Sequence, residues 1–577
     1  MDASVELAVK TWIDGPYDQA TKDEILRLQK EHPDQLVDAF YKRLSFGTGG
    51  LRGLMGVGSN RLNVYTIRAA GQGLATYILK QNIENPSLIV GYDSRHNSRL
   101  FAEETAKVMA ANGIKTYLYA SLRPVPMVSF GCRYKKTSAG VMITASHNPA
   151  IYNGYKVYWN DGGQVVPPHD EGIIQEVDLV QSPTQVKQIS SLDSPLIEEI
   201  HEEIDRAYLD TIRPLALWPE VNHKEGHLLK IVYTSLYGTG ITMVPKALAD
   251  WGFSNLHFVQ EQIVPNGDFP TTPSPNPEEK AALTLGIEKL KILDADILIG
   301  TDPDCDRMGI VAKDVGDPVI FNGNEIVCLC LNHILESLTK QNRLSPKAAF
   351  IKTIVTSELF AAIASSYKRP CFNVLTGFKY IGQLMTEWEN SGHPYEYIYG
   401  GEESYGSLLG THARDKDAIV ASALIAEVAL QAKLQNHTLQ QKLHSIYQKE
   451  GVFREKLASL VYEGKKGADQ ITGFMQKLRT NLPASFNKTA VIKVDDYQKR
   501  ISLDTQSKKE TPILLPISNV LVFWLADDSR LVIRPSGTEP KIKLYAEVRE
   551  KGDIKEAILK ADKRLDAYLE SLKAFLQ

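Results

Sequence analysis

The chain has 577 residues, more than one hydrophobic core serves, and at ~150 residues per domain it is expected to form about four domains. Apolar residues make up 43% and charged residues 23%, the balance of a water-soluble globular protein. A net charge of −4 and a pI near 6.4 exclude broad attraction to nucleic acid or to an anionic membrane, while leaving room for a local basic pocket for a small anion. The opening MDASVEL has neither a basic n-region nor an apolar h-region, so no signal peptide is expected. The apolar stretch 418–429 is interrupted by Glu427 and is too short to span a bilayer. The five cysteines have no zinc-like spacing, and Cys328 and Cys330 are not placed as a redox pair, which points to reduced thiols and the cytoplasm.

In chain order, SLIVGYD (87–93) reads as a buried strand ending in a charged loop. RLFAEETAKVMAAN (99–112) has helical spacing, with Gly113 as its stop. IKTYLYA is a second strand, Pro124 begins another helix and AGVMITA is a third strand. This alternation predicts a doubly wound sheet with Ser146 at the C-terminal end of a strand, the edge where ligands of open α/β sheets gather. The rhythm returns in HLLKIVYTSL, a helix from about Thr242 to Asp250, LHFVQEQ and DADILIGTD, and again in AAFIKTIVTS, SELFAAIASSY and CFNVLTG. The letters do not repeat, yet three units of similar order predict a degenerate internal repeat. VPNGDFPTTPSPNP (264–277) is a long loop inside the second unit. After about 450, NVLVFWLADDSRLVIRPS and KIKLYAEVRE read as antiparallel strands around a loop, closed by a helix at 554–575. The expected fold is three similar doubly wound α/β domains (1–212, 213–322 and 323–450) and a smaller C-terminal α+β domain (451–577) around a central cleft.

Four loops carry candidate chemistry. In TASHNP (144–149) a serine between a strand and a turn is a nucleophile if a base or metal activates it; an N-cap is the simpler reading of that serine taken alone. In GTDPDCDR (300–307) three carboxylates at alternate positions follow a buried strand and can converge on one hard cation. An EF-hand counted from Asp302 needs Gly and Glu where Arg307 and Lys313 stand. Strand-Asp-x-Asp also suits an aspartyl-nucleophile phosphatase, whose fifth residue is usually Thr or Val where this chain has Asp306. In YGGEESYG (399–406), Glu402, Glu403 and Ser404 suit sugar hydroxyls, although an ordinary polar turn explains them equally well. In RPSGTEPK (534–541), Arg534 offers a planar fork to phosphate, and Ser536, Gly537 and Thr538 add hydroxyls and an anion nest. GTGGLRG (47–53) and TGFKYIG (376–382) place Arg52 and Lys379 in glycine-rich loops, a weak signal because most such cations are solvated.

Taken together and in this order, the loops resemble the α-D-phosphohexomutase superfamily. TASHNP is similar to its phosphoserine loop, DPDCDR to its metal loop, GEES to its sugar loop and RPSGTEP to its phosphate loop, a match from about Phe46 to Lys541. Length, FGTGGLRG and GGEESYG look most like the bacterial phosphoglucomutase branch related to phosphopentomutases. The resemblance implies that Ser146 carries a phosphoryl group and that Asp302, Asp304 and Asp306 hold Mg²⁺ together with a phosphoserine oxygen. It implies that Arg307 steadies the metal loop, that Glu402 and Ser404 bind sugar hydroxyls, and that Arg534, Ser536, Gly537 and Thr538 hold the non-reacting phosphate. Thr144, Lys156 and Gly377 fall in the substrate-binding loops, and Arg52, His147, Lys156 and Lys379 supply charge or proton transfer at the reacting end. One departure matters: several relatives carry a histidine shortly after GE-x-S, where this chain has Tyr405 and Gly406, which leaves His147 and Lys379 as candidates for the general base.

The implied reaction interconverts glucose 1-phosphate and glucose 6-phosphate through a phosphoserine and glucose 1,6-bisphosphate, with small sugar phosphates as the only partners and either a monomer or a homodimer as the assembly. Mannose and pentose phosphates stay open as substrates. An aspartyl-nucleophile phosphatase and a non-catalytic sugar-phosphate sensor stay open as classes.

Overall fold

The structure, a computed structural model, describes residues 2–47, 49–462, 464–536 and 541–576. Three α/β units follow one another and share one strand plan. In the first, Ser87–Tyr92 lies between Lys115–Tyr119 and Ala139–Ile143, all parallel, and Tyr152–Trp159 returns antiparallel beside the third strand. In the second, Ile231–Thr234 lies between Leu256–Phe258 and Ile297–Thr301, with Met308–Ala312 returning. In the third, Ala348–Thr353 lies between Cys371–Val374 and Glu396–Gly401, with Ser407–Leu409 returning. The spatial order in each is return strand, third, first, second. The expected degenerate repeat is therefore real at the level of topology. The central strands are buried on both faces and read as continuous apolar runs for that reason.

This plan positions the chemistry. Each candidate loop of the first three units joins the third parallel strand to its antiparallel return: Ser146 follows Ala139–Ile143, Asp302 follows Ile297–Thr301 and Glu402 follows Glu396–Gly401. The loops emerge at strand C-termini, so three equivalent corners face one centre. Two glycines allow close approaches to these loops. A Cβ on Gly238 would lie 2.3 Å from the Cα of Pro303 in the metal loop, and one on Gly323 would lie 2.1 Å from the carbonyl oxygen of Glu403.

Local readings differ at the second unit. HLLKIVYTSL yields only Ile231–Thr234, because Gly226–Leu228 winds into a 3₁₀ turn. The strand in LHFVQEQ stops at Phe258, and a short helix, Gln260–Ile263, follows. The turn brings the Gln262 amide inward, where its oxygen accepts from Thr234 Oγ1 at 2.9 Å; a buried amide needs that partner. The helix expected from Thr242 begins at Val244, preceded by the 3₁₀ segment Thr239–Thr242.

One continuous apolar core runs through the first three units and surrounds the buried helix Ala418–Leu434. Among the described residues no single helix is long and apolar enough to cross a membrane. The C-terminal unit has its own core between a mainly antiparallel sheet and the helix Ile554–Phe575, whose range agrees with the sequence expectation. It meets the third unit through a cluster that includes Ile354, Val355, Tyr497, Val522 and Tyr545, through Val452, Phe453 and Ala557 in the main core, and through the buried Arg530, which pairs with Glu358. Three N-terminal helices, Ala3–Asp14, Gln19–Glu31 and Pro33–Phe40, form a further packed cluster that the sequence reading passed over.

Candidate active site

Ser146 sits in a loop held under constraint. Its φ is +51°, in the left-handed region that β-carbon-bearing residues avoid. The buried guanidinium of Arg95 holds this conformation by donating to the carbonyls of Ser146, Asn148, Pro149 and Tyr152. Arg95 is itself paired with Asp93 at 3.3 Å. In the sequence this stretch reads only as a charged loop after a strand. The available signal was an arginine in GYDSRHNS that turns out to be almost wholly buried. Thr144 Oγ1 accepts from the Ser146 amide at 2.8 Å and donates to Asp304 at 3.2 Å, which ties the serine loop to the metal loop.

The Ser146 hydroxyl donates to Asp302 Oδ2 at 2.6 Å. Asp302 Oδ1 accepts the amides of Asp306 and Arg307, so one carboxylate both shapes its own loop and touches the serine. Asp302, Asp304 and Asp306 are buried, and one oxygen from each falls within 4.8 Å of the others. Asp304 Oδ1 and Asp306 Oδ1 are buried without a hydrogen-bond partner among the described residues. Three converging carboxylates with unsatisfied buried oxygens fit a hard divalent cation, which would neutralise them. Burial, with Asp304 and Asp306 beside it, raises the Asp302 carboxyl well above the usual range. Burial also works against the charge on Asp306, but Lys156, Lys416 and Arg307 outweigh it and hold that carboxyl low.

Cations gather above. Lys156 Nζ lies 2.8 Å from Asp304 and 3.2 Å from Asp306. Lys416 Nζ, from the third unit, lies 3.2 Å from the same Asp306 oxygen. No sequence signal marks Lys416 as part of the site. It sits in THARDKDAIV, a charged run adjoining an apolar helix, and only its burial distinguishes it from a solvated surface run. His147 Nδ1 lies 3.1 Å from Ser146 Oγ. Burial, then Arg307 and Arg52, depress the imidazole to about 2, so it is neutral at physiological pH. With the serine hydroxyl proton directed to Asp302, a neutral imidazole that carries its proton on Nδ1 would donate to the serine oxygen. Arg52 donates to Asn148 Oδ1 at 3.3 Å, and Arg307 pairs with Glu278 at the end of the proline-rich loop. The same loop touches the serine loop, with Ser274 Oγ donating to the His147 carbonyl at 3.0 Å.

These groups gather behind and around one cavity of about 550 Å³. Of the residues singled out from sequence, Arg52, Ser146, His147, Lys156, Asp306 and Arg307 line its inner side. Gly377, Lys379, Glu402 and Ser404 line it from the third unit, and Arg534 and Ser536 from the C-terminal unit. Asp302, Asp304 and Thr144 lie buried behind this wall. Gly537 and Thr538 fall outside the described residues. Gly377 adopts φ +118°, and its amide donates to Glu402 Oε1 at 2.9 Å. Lys379 Nζ lies 3.9 Å from Asp170, and burial lowers its ammonium.

Two further cations, Lys541 and Lys543, complete the C-terminal wall. The hairpin register places Arg534 directly opposite Lys543. Like charges facing each other across a ladder are destabilising, and burial followed by Arg534 lowers the Lys543 ammonium. Such a pair suits an anion from solution.

Burial pushes the Glu402 carboxyl up to about 7 against the pull of Lys416, with Glu403 adding to the rise. If the charged form accepts ligand hydroxyls, kcat/KM is expected to climb as pH rises through about 7, and Glu402→Gln is expected to flatten that limb. The sign for stability is opposite. A carboxyl raised from the usual 4.5 contributes stability at low pH that is lost as pH rises through about 7. Melting temperatures of wild type and Glu402→Gln across pH 5–8 check this; parallel profiles would count against the raised carboxyl.

A serine at a strand end over three aspartates, in a cavity walled by loops of four units and lined by arginines and lysines, fits an enzyme that moves phosphoryl groups on small anionic substrates. Family models described as phosphoglucomutase/phosphomannomutase alpha/beta/alpha domains I, II and III match residues 43–183, 206–316 and 322–449, and the C-terminal domain model matches 492–561. The chain belongs to the phosphoglucomutase/phosphomannomutase family, within the α-D-phosphohexomutase superfamily, and is a phosphohexomutase, an enzyme of the isomerase class. Within the family it stands close to bacterial phosphoglucomutases. It is 37% identical to the phosphoglucomutase of Staphylococcus haemolyticus over 511 residues, 88% of this chain and 90% of that protein. It is 36% identical to a phosphoglucomutase of Staphylococcus epidermidis over 538 residues, 92% of this chain and 95% of that one. In fold it resembles the open form of the Paramecium phosphoglucomutase pp63/parafusin, with TM-score 0.66, 18% identity, and coverage of 92% of this chain and 95% of that one. It also resembles a putative phosphomannomutase of Thermus thermophilus, with TM-score 0.65, 19% identity and coverage of 91% and 99%.

Proposed function

We propose that this chain interconverts glucose 1-phosphate and glucose 6-phosphate through phosphorylated Ser146 and a glucose 1,6-bisphosphate intermediate. The observation that carries this reading is the Ser146 hydroxyl, 2.6 Å from Asp302, in the wall of a cavity whose C-terminal side is the Arg534–Lys543 pair. In this reading each of the units 1–212, 213–322, 323–450 and 451–577 contributes one loop to the reaction.

Asp302, Asp304 and Asp306 would hold Mg²⁺, which when bound polarises phosphoryl oxygens and neutralises charge in transfer. Lys156 and Lys416 bring two ammonium groups to the same place, and Arg52 a guanidinium, so that the charge of the moving phosphoryl group is met in a water-poor site. Glu402 and Ser404 accept and donate to sugar hydroxyls. Arg534, Lys543 and Ser536 grip the phosphate that is not reacting, with Gly537 and Thr538 beside them in the sequence. His147 holds its Nδ1 proton at the serine oxygen. Lys379, whose ammonium is lowered by burial, serves as a proton acceptor at the substrate end. The bisphosphate turns over in the cleft and returns its other phosphate to Ser146. The C-terminal unit, packed against the third, excludes water; with water admitted, phosphoserine would hydrolyse and the mutase would become a phosphatase.

The aspartyl-nucleophile alternative is disfavoured by position: Ser146 borders the cavity, and Asp302 lies wholly buried behind it. A sensor needs the binding loops but no phosphoserine, so the intact mass of purified protein separates it from an enzyme. The substrate assignment is supported by the staphylococcal relatives named above. A coupled assay against glucose, mannose, ribose and glucosamine 1-phosphates tests it, and a preference for any sugar other than glucose would overturn it. The reaction belongs in the reducing cytoplasm; all five cysteines are unpaired and four are buried.

Arg534→Ala is expected to lower kcat/KM in both reaction directions. The bisphosphate presents each phosphate to Ser146 in turn, so one grip serves both orientations. A charge-assisted hydrogen bond is worth roughly 1.5–3 kcal/mol, or about ten- to a hundredfold. Small-angle scattering should show ligand-dependent compaction in wild type that the variant lacks. Equal compaction with kinetics within twofold would place the phosphate grip elsewhere.

A further inference from the structure

Lys416 reaches the cavity from a stretch of four consecutive charged residues, Arg414, Asp415, Lys416 and Asp417, all of them buried. A buried charge is costly without partners, and two of the partners are hydroxyls of the first unit: Tyr158 OH donates to Asp415 Oδ2 at 2.9 Å and Tyr208 OH donates to Asp417 Oδ2 at 2.6 Å. A third hydroxyl of that unit, Ser129 Oγ, accepts from the Arg414 backbone amide at 2.9 Å and pins the stretch itself. Gln164, also in the first unit, donates to the same Asp415 oxygen at 3.2 Å. The other oxygen, Asp415 Oδ1, accepts from Lys416 Nζ at 2.9 Å.

Tyr158 stands two residues beyond Lys156 on the strand Tyr152–Trp159, so the two side chains leave the same face. That strand therefore supplies Lys156 directly to Asp306 and, through Tyr158 and Asp415, holds Lys416 against the same Asp306 oxygen. A lysine is a point charge on a flexible four-carbon stem and has no geometry of its own. Its position here is set by what holds the ammonium.

We propose that Asp415, held by Tyr158, is a positioning residue that fixes Lys416 over the reacting phosphoryl group, so that the serine-bearing unit itself places a cation from the third unit. The proposal rests on the mutase reading above. Wild-type turnover is therefore measured first: an inactive wild type overturns both, whereas an active wild type with no coupling overturns this one alone.

Tyr158→Phe removes one hydroxyl from a fully buried ring and is expected to lower kcat at least tenfold while KM stays within twofold. Lys416→Met should lower kcat further. The deciding measurement is a double-mutant cycle on single-turnover transfer of labelled phosphate from the serine to glucose phosphate, a readout that registers slow rates. In the Lys416→Met background, adding Tyr158→Phe should change that rate by less than twofold. Equal fold-losses in both backgrounds, or a Tyr158→Phe protein within twofold of wild type, would show that the contact is interdomain glue only. If Tyr158→Phe does not fold, Asp415→Asn, which keeps shape and loses charge, is carried through the same cycle with the same two outcomes.

Discussion

Ser146→Ala is expected to lower turnover by roughly four orders of magnitude or more while leaving the fold intact. The variant loses the covalent carrier, and no other hydroxyl in the serine loop reaches both the aspartates and the cavity: Thr144 is buried behind the wall, with its oxygen committed to the Ser146 amide and Asp304. Loss of a nucleophile of this kind is not made up by the surrounding binding groups. The cost in stability should be small. Alanine enters a left-handed backbone position already held by four Arg95 contacts, and the lost Ser146–Asp302 hydrogen bond has a net worth of about 1 kcal/mol. Label transfer from glucose 1,6-bisphosphate, compared between wild type and variant, reads the first effect, and thermal melting reads the second. Full activity in the alanine variant would sink the nucleophile assignment.

Removal of divalent metal is expected to abolish activity and Mg²⁺ to restore it. The three buried carboxylates converge, and Asp304 and Asp306 each keep one oxygen without a hydrogen-bond partner among the described residues, a donor set that a divalent cation would complete. A metal supplies several kcal/mol of charge stabilisation in transfer, so loss by a hundredfold or more is the expected scale. Asp302→Asn keeps the side-chain shape and removes one charge. A second readout does not depend on turnover: a ligand that binds only the folded state at a hundred times its Kd adds about 2.7 kcal/mol. Mg²⁺ should therefore raise the melting temperature of wild type clearly and that of Asp302→Asn much less. Undiminished activity after exhaustive chelation, or an equal thermal shift in both proteins, would count against the metal site.

The parts of the site legible in the sequence were those whose chemistry is local. A buried strand ending in TASHNP, and another ending in DPDCDR, announce a loop at a strand C-terminus. Alternation of aspartates over five positions suffices to suggest convergence. The closing helix and the central strands were legible for a related reason: apolar periodicity records the burial of an element along its own length. The short second-unit strands were less so. Gln262 is buried through a turn, and no periodicity encodes the need of one amide for a distant threonine hydroxyl.

The general-base question shows where sequence reasoning ended. With Tyr405 and Gly406 after Ser404, the sequence leaves His147 and Lys379 as the candidates. The structure brings in Lys416 from the loop after the third unit's return strand, Ser407–Leu409, and depresses the His147 imidazole through burial and two neighbouring arginines. Nothing in the linear text marks Arg95, Lys416 or Lys543 apart from a surface cation, because a solvated and an enclosed charge are written with the same letter.

The sequence by itself determined that this chain folds as three related α/β units and a distinct tail, and that Ser146 and the three aspartates stand at strand ends. Both follow from short-range patterns of burial and turn chemistry. Only the tertiary structure decided that four loops share one cavity of about 550 Å³, that two lysines from different units meet on Asp306, and that Arg534 faces Lys543. Those facts depend on the packing of units against one another and on strand register, where electrostatic energy is set by distances of a few ångströms between residues far apart in the chain.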